Sequence, residues 1–251
     1  MKKNNYILPT LWETITNKQY VIPVSEYLEL AFDSLLDNEI IKTVPIVNLM
    51  LFGNNLTSSI KNQLLLKKIL LFINSQSDLS TEKRDDFLLQ LESNPKEVAN
   101  KSCITKRKNI NALIYNDLML SYGCVGGLIR IFPKEKIRIG EKLILVLDQA
   151  DDMSKPELIG ELFKAFVAQE FDFEIFSRLV DGVNRVPISA LSDFLQHDFY
   201  SVSTENTVAL AFGGFMSFSV PIFVGSDEAL ISYKPNSLGD LLKKYCGKKF
   251  T

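Results

Sequence analysis

The sequence predicts a mainly α fold with a smaller β part (α+β): a helical N-terminal half and a winged-helix-like C-terminal half. Three observations predict it. Apolar residues recur at the three-four spacing of a helical face through most of the chain. Small polar residues and prolines punctuate these segments where helices should begin. An uncharged run from Asn206 to Ser226 holds Gly213-Gly214 and Pro221, which suit a hairpin better than a helix. The expected division is a helical domain over 1–100, a basic linker with short strands over 101–142, and a winged-helix-like domain of three helices plus a hairpin over 143–251.

Residues 1–24 read as irregular, because Pro9 and Pro23 bracket a short apolar segment around Leu11, Trp12 and Ile15. Ser25 caps a helix with Leu28, Ala31, Phe32, Leu35 and Leu36 on one face and Glu26, Glu29 and Asp33 off it. Glu39 to Ser75 is a long, strongly apolar segment. It reads as two helical pieces, Pro45 to about Leu56 and Ser58 to Ile73, joined near Gly53-Asn54-Asn55. The second sets a wide apolar face, with Ile60, Leu64 and Leu71, beside a narrow basic one at Lys67 and Lys68. Ser80-Thr81-Glu82 starts a helix with Phe87, Leu88 and Leu91 on one side.

Asn94-Pro95 looks like a cap with proline at the first helical position. Lys101, Lys106, Arg107 and Lys108 mark an exposed basic linker. Asn109 to Tyr122 suits either a helix or two short strands. Gly123 to Gly127 is a turn, and Leu128 to Phe132 a strand ended by Pro133.

In the second half, Leu143, Ile144 and Leu147 mark a short helix. Ser154-Lys155-Pro156-Glu157 has the spacing of a capping box, opening a helix with Leu158, Ile159, Leu162, Phe163, Phe166 and Val167 on one face. Asp172 caps the next, with Phe173, Phe176, Leu179, Val180 and Val183 inward. Pro187 starts a third, with Ile188, Leu191, Phe194 and Leu195 inward. With Gly213-Gly214 as a two-residue turn, Phe212 pairs with Phe215, Ala211 with Met216 and Ala209 with Phe218. A last helix runs from about Leu238 to Cys246.

Charge narrows the function classes. The chain carries 28 basic and 30 acidic residues, without the basic balance that phosphate neutralisation favours. The third helix, P-I-S-A-L-S-D-F-L-Q, holds no Lys or Arg, so a winged-helix order here argues weakly for DNA. The run Val208 to Val224 is shorter than the ~20 residues that span a bilayer. Cys103, Cys124 and Cys246 lie far apart and His197 has no Cys nearby, so neither a zinc site nor any other metal or cofactor is expected. Sparse cysteine and an N-terminus without an apolar signal region predict a cytoplasmic protein, with contact at the inner-membrane surface as the alternative.

No catalytic residue is expected. G-C-V-G-G lacks the G-K-[ST] of a phosphate loop, L-D-Q-A-D-D lacks the spacing of a calcium loop, and Q-H-D at His197 lacks a nucleophile motif. The candidate contact residues are Met50, Phe52, Lys67, Lys68, Lys106, Arg107 and Lys108. Their apolar-plus-basic character suits a protein partner or a second copy. Anionic lipid suits them as well.

The block L-L-D-N-E-I-I-K-T-V-P-I-V-N-L-M-L-F, followed by L-L-L-K-K-I-L-L-F, resembles a widespread group of bacterial proteins that share a V-P-I-V block. L-I-L-V-L-D-Q-A-D-D, E-L-I-G-E-L-F-K-A-F-V and F-E-I-F-S-R-L-V-D-G-V-N-R are similar to that group too. The chain departs from the block at Asn48, where a Gly often follows P-I-V. The resemblance implies an accessory-genome setting, a prophage or phage defence, and carries over no functional residue. Together these observations predict a non-enzymatic interaction or regulatory protein. The alternatives are a membrane-acting effector that inserts 39–75 or 206–226, and a winged-helix DNA-binding regulator.

Overall fold

The computed structural model describes residues 7–20, 39–52, 60–93, 134–197, 202–219 and 232–247. Its elements are α1 (Ile7–Thr16), α2 (Glu39–Lys42), α3 (Pro45–Phe52), α4 (Ile60–Asn74), α5 (Thr81–Ser93), α6 (Lys134–Gln149), α7 (Lys155–Val167), α8 (Phe173–Arg185), α9 (Ile188–Gln196), α10 (Thr204–Phe212), β1 (Met216–Ser219), β2 (Ser232–Pro235) and α11 (Ser237–Cys246). The described chain is thus mainly helical with a small antiparallel sheet. The helix expected from Ser25, the Asn94-Pro95 cap, the basic linker and the strand expected at 128–132 lie outside the described residues.

Helix α7 is the centre. It packs against α4, α5, α8 and α11, and ten of its thirteen residues are buried, so its apolar surface runs almost all the way round. Phe163 and Phe166 join the two halves of the chain. Phe163 meets Phe72 of α4 at 5.4 Å between ring centroids and Phe176 of α8 at 6.0 Å. Phe166 stacks on Phe176 at 5.1 Å and takes the edge of Phe87 of α5 at 5.2 Å. Each fully buried ring contributes ~1.5–3 kcal/mol of transfer energy, with tilted and edge contacts adding to it.

The sequence predicts residues 1–24 as irregular; instead Ile7–Thr16 is helix α1. Pro9 falls in its first turn, where the missing N–H has no intrahelical acceptor to lose. The helix buries Leu11, Trp12 and Ile15 and is held by three polar contacts. Trp12 Nε1 donates to the Lys136 carbonyl at 2.9 Å, and Thr14 Oγ1 accepts from the Ile46 N–H at 3.2 Å. Arg84 of α5 donates to the Ile15 carbonyl, and also to the carbonyls of Gln76 and Leu79. Burial holds the Arg84 guanidinium below its ordinary range, a shift that Asp78 partly offsets.

Two further sequence expectations are corrected in the second half. Ser154 forms no capping box. Its backbone is already helical (φ −81°, ψ −23°) and its side chain makes no cap bond. Asp152 Oδ1 takes the Ser154 N–H at 2.7 Å, which turns the chain one step earlier and leaves the hydroxyl wrongly placed for the first turn. By contrast, Asp172 caps α8 as predicted, accepting from the Ile175 N–H at 2.9 Å.

The second correction is the hairpin. Residues Thr204–Phe212 are helical, and Gly213-Gly214 ends that helix rather than joining two strands. Ser203 accepts from the Asn206 N–H at 3.2 Å and Glu205 lies in the first turn, so local helix signals prevail. The sheet forms further on. β1 pairs with β2, Met216 opposite Pro235, Ser217 opposite Lys234, Phe218 opposite Tyr233 and Ser219 opposite Ser232.

Candidate functional site

The junction from α10 to β1 is built around one buried ring and three glycines. Gly214 adopts φ +85°, a left-handed turn that glycine enters without steric penalty. It lets the Phe215 N–H reach the Leu210 carbonyl at 2.9 Å while Gly214 N–H bonds Ala211 at 3.0 Å, closing the helix end. Phe215 then enters the core, fully buried. Around it there is no room for side chains. A Cβ on Gly239 would stand 2.4 Å from the Phe215 carbonyl oxygen, and one on Gly182 would stand 2.6 Å from that of Gly213.

Asn236 locks the other side of the junction. Its main-chain N–H bonds the Phe215 carbonyl at 3.1 Å, and its Nδ2 bonds the Gly214 carbonyl at 2.9 Å. Its Oδ1 accepts from Leu238 and Gly239, capping α11 at 3.0 and 3.1 Å. On the far side of α10, Asp193 receives Asn206 Nδ2 at 2.7 Å and the Ser203 N–H at 3.4 Å. The Asn206 hydrogen bond leads in holding the Asp193 carboxyl below the usual carboxylate range.

This rigid junction presents two rings to solvent. Phe212, the last residue of α10, is 81% exposed, and Phe218, in β1, is 68% exposed. They flank the buried Phe215, and no charged residue lies between Asn206 and Ser219. Two large apolar side chains left in solvent on either side of one helix-to-strand junction forgo ~1.5–3 kcal/mol each of available burial, so their exposure sets this tip apart. The sequence marks both rings as large and apolar, but the expected hairpin, with Phe212 opposite Phe215 and Phe218 opposite Ala209, would cover both, and in the structure both are exposed.

The residues singled out from sequence are dispersed. Met50 is buried in α3, and Phe52 closes the same helix. Lys67 is exposed on α4, with Leu64 beside it at 45% exposure. Lys68 turns inward and donates to the Asp148 carbonyl at the end of α6 at 2.9 Å. Lys106, Arg107 and Lys108 lie outside the described residues. In the acidic cluster, Asp151 pairs with the buried Lys155, and Asp152 makes the Ser154 turn. His197 is exposed at the end of α9, its Nδ1 facing Asp193 Oδ1 at 3.1 Å.

Among the described residues no group of three or more His, Cys, Asp or Glu is placed to hold a metal ion, and no helix is long and apolar enough to cross a membrane. Comparison of the chain with protein-family models, with curated proteins and with solved structures finds no match.

Proposed function

We propose that this is a non-enzymatic interaction or regulatory protein that contacts a protein partner through Phe212 and Phe218. The observation that carries this reading is their exposure on either side of the buried Phe215. Binding hot spots are enriched in large aromatic side chains. Anchors held rigid before contact lose less conformational freedom on binding. Gly214, Phe215 and Asn236 supply that rigidity here.

We carry the winged-helix-like C-terminal half forward as part of the proposal; helices followed by the antiparallel pair β1 and β2 support it, with α10 rather than the expected α9 as the helix before the strands. In it α10 takes the place of the recognition helix. The sequence of α10, T-E-N-T-V-A-L-A-F, holds Glu205 and no Lys or Arg. A phosphate-facing helix would lack its main attractive term. An apolar end on the same helix favours protein over nucleic acid. The prophage or phage-defence setting stays an expectation from the V-P-I-V resemblance.

Site-specific photocrosslinking tests the surface. Benzoylphenylalanine placed at 212 or 218 in host cells should yield a discrete protein adduct. The same group at Leu145, an exposed apolar residue on α6, should not. Equal labelling from all three positions, or from none, would overturn the reading.

A further inference from the structure

The two outer edges of the small sheet are not equivalent. The Asn236 N–H bonds the Phe215 carbonyl at 3.1 Å. Antiparallel pairs alternate between bonded and non-bonded. In the register observed, Ser217/Lys234 and Ser219/Ser232 are therefore the bonded pairs, and Met216/Pro235 and Phe218/Tyr233 the non-bonded ones. It follows that the main-chain N–H and C=O of Phe218 point away from β2. Among the described residues neither has a hydrogen-bond partner.

On the opposite edge Pro235 offers no N–H and Lys234 adds a charge, two devices by which natural edge strands resist further pairing. Strand β1 is Met-Ser-Phe-Ser and carries neither. The unprotected edge coincides with the exposed ring of Phe218.

We propose that β1 is a self-pairing edge: two copies of this chain join antiparallel about a two-fold axis, with Phe218 opposite its own mate. The proposal rests on the reading of the aromatic tip as a contact surface. A second copy fits because the axis turns one outward N–H and one outward C=O into two mutual hydrogen bonds. It also sets the two Phe218 rings directly opposite on one sheet face, a favourable cross-strand pair. Both strands are uncharged, so no like charges meet. The two-stranded sheet becomes four-stranded, past the size at which isolated strand pairs are only marginal. Four-residue strands bury much less than the ~800 Å² per partner of a standard interface, so the dimer should be weak, with a Kd above ~1 μM.

Sedimentation velocity over a concentration series, with disulfide trapping, tests this. Wild type should move from monomer to dimer as concentration rises. Phe218→Lys should stay monomeric, and Ser217→Gln, altered on the opposite sheet face, should dimerise like wild type. Facing residues of a bonded antiparallel pair have Cα atoms ~5.5 Å apart, within the ~4.4–6.8 Å range of disulfides. Phe218→Cys should therefore give a covalent dimer on mild oxidation, well above any formed by wild type or Ser217→Cys. If Phe218→Lys also lowers the thermal midpoint, the Phe218→Cys trap decides. A wild type monomeric at every concentration, a Phe218→Lys dimer, or equal trapping of both cysteine variants would overturn the proposal. A monomer whose position 212 still crosslinks a host protein removes self-pairing and leaves the contact surface standing.

Discussion

Gln76 donates its side-chain amide to the carbonyl of Gly160 at 2.9 Å, at a point where α7 has no room for a side chain. A Cβ on Gly160 would lie 1.6 Å from Ser75 Oγ and 2.7 Å from Ser75 Cβ. Gly160→Ala should therefore force α4 and α7 apart and cost about 3 kcal/mol, the upper end of ordinary overpacking. Adding Ser75→Gly should restore more than half of the loss, because the two sites are in contact and not additive. Urea denaturation of the four-member cycle measures both effects.

Arg84 places one buried cation on three main-chain carbonyls. Arg84→Met leaves the carbonyls of Ile15, Gln76 and Leu79 without it, at ~1–3 kcal/mol for a buried unsatisfied group. A total loss of about 3 kcal/mol is expected, since neighbouring groups relax. Arg84→Lys should recover little, because an ammonium lacks the guanidinium fork. Trp12, the only tryptophan, lies on the helix that Arg84 anchors. Its fluorescence should shift to the red in Arg84→Met at denaturant concentrations where wild type is unchanged.

Gln169 closes α7 at φ +61°, the left-handed region, with the Glu170 N–H bonded to Ala165 at 3.1 Å and its own N–H to Phe166 at 2.9 Å. This is a helix end at which glycine is preferred. Gln169→Gly removes the strain of a side chain there, ~1–2 kcal/mol, against ~0.5–1 kcal/mol of added chain entropy. The thermal midpoint should rise. A fall would show that the Gln169 side chain contributes more than its backbone strain removes.

Asp193 joins α9 to α10 as a carboxylate, and its pKa lies below the ordinary value, with the Asn206 hydrogen bond as the leading cause. A depressed folded pKa means the stabilisation is complete above the unfolded value of ~3.9 and is lost as pH falls through the folded one. Wild type should thus be more stable than Asp193→Ala above pH ~5, and the margin should shrink below ~4. A margin that grows as pH falls below ~4 would contradict the assignment.

Much of the fold was legible in sequence because its cues are local. The apolar faces of α7, α8 and α9 recur at helical spacing, and the Asp172 cap sits three residues before the amide it binds. The failures have local causes too. Pro9 suggests a break in sequence, although the first helical turn tolerates it. Gly213-Gly214 suggests a strand turn, although Ser203 and Glu205 upstream carry a helix-start signal and two alanines favour the helix.

What sequence could not supply was non-local. Arg84 sits in T-E-K-R-D-D-F, a stretch that reads as a solvated face, yet it bonds the turn between α4 and α5 and, 69 residues away, the Ile15 carbonyl of α1. Lys67 and Lys68 are neighbours, but only the second meets the end of α6. The exposure of Phe212 and Phe218 depends on where Phe215 enters the core, which no periodicity reports.

Comparing two double variants in one capture experiment tests the account most directly. Phe212→Ser with Phe218→Ser removes the aromatic tip; Leu64→Ser with Lys67→Ser removes the apolar and basic neighbours exposed on α4. These are surface changes, and each variant should unfold within about 0.5–1 kcal/mol of wild type. The protein that crosslinks at position 212 should be retained by wild type and by the α4 variant, and lost by the tip variant. Retention by the tip variant, or loss by the α4 variant alone, would contradict the assignment of the contact surface to Phe212 and Phe218.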